Sequence, residues 1–89
     1  MDDGQIHIGH LIQEQMRLRG VKVSWLASKL HCHRNNIYKI FDKSWIDTET
    51  LMKISLLLNF NFFYLYSNYY ESIDISDDGG GNVKNINEL

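Results

Sequence analysis

Arg34, Asn35, Asn36 and Lys39 lie within six residues of one another and bring together hydrogen-bond donors, acceptors and positive charge. A guanidinium suits the paired acceptors of guanine and a carboxamide suits the donor-acceptor edge of adenine, so these side-chain types can read base edges. They sit in WLASKLHCHRNNIYKIF, residues 25–41. Within it Ile37, Ile40 and Phe41 fall at i, i+3 and i+4, which predicts a helix with one apolar face and one polar, positive face. Ahead of it Leu26, Ala27 and Leu30 recur at helical spacing and leave Ser28 and Lys29 to water. Two short helices joined by a tight turn is how many small proteins put side chains against DNA. On periodicity alone, the same residues read equally well as a solvated helix face. Ala27 is small enough to let two crossing backbones approach closely.

Other chemistry has less support. His31, Cys32 and His33 are adjacent, but three consecutive residues cannot all point at one ion, and their spacing matches no zinc pattern. No metal and no cofactor are expected, and Cys32 is read as a small hydrophobe. The histidines lack a Ser or Cys partner at a recognisable spacing. The glycines at 79–81 have no strand before them and no helix after them. An enzyme is therefore not expected.

With 89 residues there is room for one domain, and the absence of proline and of period-two apolar alternation makes the expected class all-α. The formal net charge is −2, which is no basic footprint, but the charge is unevenly spread. Residues 4–45 carry seven cations against two carboxylates, whereas residues 46–89 carry two cations against seven carboxylates. Basic charge thus accompanies the helix pair. The lone cysteine, and the lack of a leader-like segment or an apolar run of membrane-spanning length, make a soluble cytoplasmic protein with no membrane contact the expectation.

Five helices must carry these residues. Ile8, Leu11, Ile12 and Met16 mark a first helix over about 6–19, with Gly20 ending it in the left-handed conformation. Ser24 is a candidate cap for the second, although Lys22 or Val23 could start it, and the third begins after His33. Asp47 caps a fourth helix with the stripe Leu51, Ile54, Leu57 and Leu58, which Asn59 ends. Asn61 caps a fifth, FFYLYSNYY. Residues 1–70 form the expected domain, and the acidic, glycine-containing residues 71–89 the expected disordered tail, apart from a short ordered stretch at Ile73 and Ile75.

In this setting, the stretch from Ile8 to Leu65 resembles the helix-turn-helix domain of the phage repressor and Cro family, also called the XRE family. The matching features are Gly9 and Ile12, then Gly20 with Val21, then Leu26 and Ala27, then Ile37 and Ile40. DTETLMKIS and LNFNFFYL complete them. The resemblance implies a five-helix, lambda-repressor-like fold that binds double-stranded DNA with its third helix in the major groove. Arg34, Asn35 and Lys39 would then touch bases, while Lys29, Asn36, Tyr38, Lys43 and Ser44 would contact the phosphate backbone, which sets affinity and register.

Two departures from the family pattern have consequences. The turn commonly has Gly where His31 stands, so His31 is expected in a left-handed or strained backbone. Met16 and Phe41 occupy positions where many members pair Arg with Glu, and an apolar contact between them is expected instead.

Seven of the eleven aromatic residues lie between Phe60 and Tyr70, more than one bundle can cover. Phe60, Tyr64, Tyr69 and Tyr70 are therefore the expected surface of a homodimer matched to two half-sites. Trp25 and Trp45 are assigned to packing. The competing reading is a protein-interaction module, or an antitoxin-type regulator, that engages a protein partner through the aromatic fifth helix and the acidic tail.

Overall fold

Three of the helix ends close in the same way, and each depends on one residue in the left-handed region. The computed structural model describes residues 6–73, which form five helices: α1 (Ile8–Arg19), α2 (Val23–Lys29), α3 (Arg34–Phe41), α4 (Thr48–Leu58) and α5 (Phe62–Ser72). Gly20, His31 and Asn59 have φ of 67°, 58° and 55° and turn the chain out of α1, α2 and α4. In each case the next residue's N–H reaches back five positions, as in Val21 to the Met16 carbonyl, Cys32 to Ala27 and Phe60 to Ser55. That pairing, the Schellman motif, satisfies carbonyls the helix end leaves free. His31 does adopt the left-handed backbone expected of it.

The helix starts divide by chemistry. Asp47 and Asn61 cap α4 and α5 with side-chain oxygens, as their residue types predict. His7 and His33 cap α1 and α3 with imidazole Nδ1, which accepts from His10 N–H and Asn35 N–H at 3.2 and 3.1 Å. For α2, Ser24 is not the cap. Lys22 takes that position without a side-chain bond, because the tight exit from α1 leaves only two residues before Val23 must turn inward toward the core.

All five helices bury one face. Ile8, Ile12, Leu26, Ile37, Ile54 and Phe62 have no exposed surface, and Met16, Ala27, Phe41, Leu51 and Leu58 complete the cluster. Met16 and Phe41 are thus both core residues, as two apolar side chains in place of an ion pair should be. Cys32 is half-buried against the same core.

The closest approach lies between α1 and α3. The Ile8 and Gly9 N–H groups donate to the Ser44 and Lys43 carbonyls at 3.0 and 2.9 Å, so the start of α1 is held by the loop that follows α3. A Cβ at Gly9 would collide with the backbone carbonyls of Ile40 and Phe41.

At the other end, α5 runs two residues into the expected tail, to Ser72, whose hydroxyl donates to the Tyr69 carbonyl at 2.7 Å. Local bonding extends the helix where composition alone suggested its end. Ile73 is 41% exposed. Ile75 and the rest of the expected tail lie outside the described residues.

Candidate nucleic-acid interface

The third helix presents its polar side chains because its apolar ones are so well held. Ile37 is fully buried and Phe41 nearly so, with Ile40 half-buried beside them. At 100° per residue this inward arc leaves Asn35 and Lys39 at the centre of the outward face, Arg34 and Tyr38 along one edge and Asn36 along the other. All five side chains are exposed. Tyr38 sets its ring edge-on to Phe41 at 6.1 Å, so half of it is covered while the remainder stays at the surface.

A shallow depression flanks each edge. On the α2 side, Ser24, Ser28, Cys32, His33 and Arg34 line one of about 320 Å³. Opposite, Asn36, Lys39 and Lys43 meet Trp45, Asp47 and Thr50 around another of the same size. The outward face of α3 is therefore a ridge with a hollow on either side, and both hollows are lined largely by hydrogen-bonding groups.

Asp47 is the one acidic group in these hollows, and its charge is engaged. Its carboxylate accepts from the Thr50 N–H at 2.9 Å and from the Thr50 hydroxyl at 3.0 Å. Those two bonds hold its carboxyl below the ordinary aspartate range. Asp42 lies exposed at the far end of α3.

The remaining expected site residues fall out as follows. Lys43 and Ser44 are exposed and adjoin the ridge, and their carbonyls are already committed to α1. Lys29 is exposed but lies over the Trp25 ring, with Nζ 5.7 Å from the centroid. This i, i+4 pair was missed in the sequence, although its spacing is the one at which helix side chains meet.

Trp25 itself corrects an expectation, because it is 40% exposed and no part of the core. It lies well away from the arc on which Leu26, Ala27 and Leu30 turn inward. Trp45 does pack, but against Tyr66, with ring centroids 5.4 Å apart, and it remains 57% exposed.

The four aromatics expected at a dimer surface separate into two kinds. Tyr64 and Tyr70 are 58% and 59% exposed. Phe60 and Tyr69 are half-buried against the core, and Phe60 also meets Phe62 edge-on at 4.7 Å and lies under the Arg19 guanidinium at 5.8 Å. The Arg19 contact joins residues 41 positions apart and has no local signal in the sequence.

Among the described residues no group of His, Cys, Asp and Glu could hold a metal ion, and no helix is long and apolar enough to cross a membrane. Comparison with protein-family models, with curated proteins and with solved structures found no match to this chain.

Proposed function

We propose that this chain is a non-enzymatic, cytoplasmic transcriptional regulator that binds double-stranded DNA as a dimer, with α3 in the major groove of each half-site. Its fold would be the lambda-repressor-like domain of the repressor and Cro family. The observation that carries this reading is the ridge: Arg34, Asn35 and Lys39 stand exposed on a short helix whose opposite face is locked into the core. A groove-reading helix needs that rigidity, since a side chain displaced from its base edge loses the bidentate bond. Lys43, Ser44, Asn36, Tyr38 and Lys29 lie where the flanking phosphates would pass, and cations there act through counterion release. A purely protein-binding role is the second reading, favoured by the exposed Tyr64 and Tyr70 and by the overall charge of −2.

Fluorescence anisotropy on a duplex selected from a random pool tests the proposal. Binding should weaken steeply as salt rises. Arg34→Ala and Asn35→Ala should each cost about 1–3 kcal/mol, on the order of 5- to 150-fold in affinity, and relax selection at one base pair. Variants that bind every sequence as wild type does would favour the protein-binding reading.

A further inference from the structure

The seam between α4 and α5 holds an unmatched polar atom in an apolar setting. Ser55 is 7% exposed, and its hydroxyl has no hydrogen-bond partner. It lines a groove of about 470 Å³ with Met52, Leu56, Asn59, Phe60 and Phe63, and no lining residue carries a charge. Met52 and Leu56, one turn apart on α4, are 49% and 73% exposed. A buried hydroxyl without a partner is costly, and so is leaving such apolar side chains in water. An occupant that fits must be apolar in bulk with a hydrogen-bonding group at its tip.

The same seam carries a side chain of that description. Phe63, Tyr66 and Tyr70 fall at i, i+3 and i+7 and so share one stripe of α5. Phe63 lines the groove, while Tyr70 is 59% exposed farther along the stripe. A hole and a protruding aromatic on one face are what an isologous two-fold contact requires, because each copy gives the knob that the other receives.

Charge favours a second copy over a charged partner. The groove is neutral, and the nearby α4 charges Glu49 and Lys53 pair with each other at 3.5 Å. Two identical faces can therefore meet without like-charge repulsion, unlike the cationic α3 side.

We propose that two copies of this chain dock through their α4–α5 seams, each placing Tyr70 in the other's groove with its phenol at the Ser55 hydroxyl. The inference takes up the dimer of the functional reading and replaces its expected surface: Tyr70 and the rim at Phe60 belong to it, with Met52, Ser55, Leu56 and Phe63, whereas Tyr64 and Tyr69 do not. It does not depend on DNA.

Sedimentation equilibrium of the full chain, without DNA, over a concentration series tests it. Wild type should show a reversible monomer–dimer equilibrium. Leu56→Asp should remain monomeric with unchanged helical circular dichroism, since the side chain is exposed. Tyr70→Phe, which deletes one hydroxyl, should weaken association about 2- to 12-fold, the effect of one neutral hydrogen bond. Tyr64→Ser should associate as wild type does. A wild-type chain that stays monomeric overturns the proposal and leaves the groove to another protein or to residues 74–89. Association lost in Tyr64→Ser but retained in Leu56→Asp overturns it as well. Loss of DNA binding with the dimer intact would count against the functional reading alone.

Discussion

The contact between α1 and α3 and the seam between α4 and α5 are built on opposite terms. At the first, backbone meets backbone. Gly9 sits against the Ile40 and Phe41 carbonyls, and the N–H groups that α1 would leave free are taken up by Ser44, Lys43 and His7. Nothing there is left over. At the second, Met52 and Leu56 face water and the Ser55 hydroxyl has no partner. A bundle of this size can finish one helix contact within itself and leave another to be finished from outside, and the recognition ridge belongs to the finished part.

The largest test of that contrast is Gly9→Ala. Its new methyl group meets carbonyls of the main chain, which no rotamer change can move aside, so α1 must shift off α3. We expect a loss of about 3 kcal/mol or more, read as the midpoint of urea unfolding. Stability close to wild type would mean that the α1–α3 contact is no tighter than the α4–α5 seam.

Acidification should act on the α3–α4 side next. Because the Asp47 carboxyl is held below its ordinary range by Thr50, its contribution is present above the unfolded-state pKa and is lost as pH falls through the lowered folded-state value. Thermal unfolding of wild type should therefore lose more between neutral and strongly acid pH than unfolding of Asp47→Asn does. Equal losses would show that the cap bonds do not depend on the charge.

His31→Gly is expected to stabilise the fold by about 0.5–1 kcal/mol, since it removes a side chain from the left-handed region at the turn before α3. Urea unfolding reads this too, and destabilisation would mean that the imidazole makes a contribution larger than its backbone strain. The smallest effect should be that of Leu56→Ser on the monomer, within about 0.5 kcal/mol at low protein concentration, as for a surface side chain. A large loss there would make Leu56 part of the core and end the contrast.

Much of this was legible in the sequence because it is local. A helix cap is decided within three or four residues, so Asp47 and Asn61 announce α4 and α5, and Gly20 and Asn59 announce their left-handed ends. His31 was legible as well, because the turn between two periodic segments is too short for any other backbone. The polar face of α3 follows from the spacing of Ile37, Ile40 and Phe41, whatever lies around it. Trp25 misled because adjacency to Leu26 in the chain counts for less than the 100° that separates them on the helix. Arg19 over Phe60, Trp45 on Tyr66 and the α1 N–H groups on the Lys43 and Ser44 carbonyls join residues far apart in sequence, where no periodicity reports.

By itself, then, the sequence determined five helices, most of their ends and which face of each is apolar, since propensity, capping and periodicity act over a few residues. Only the tertiary structure decided which aromatics are covered and which are left over. It also explained why Gly9 has room for no side chain and placed Ser55, a helix residue unremarkable in sequence, as a buried hydroxyl beside an open groove. Those outcomes depend on how whole helices cross, and the crossing is set by all their side chains at once.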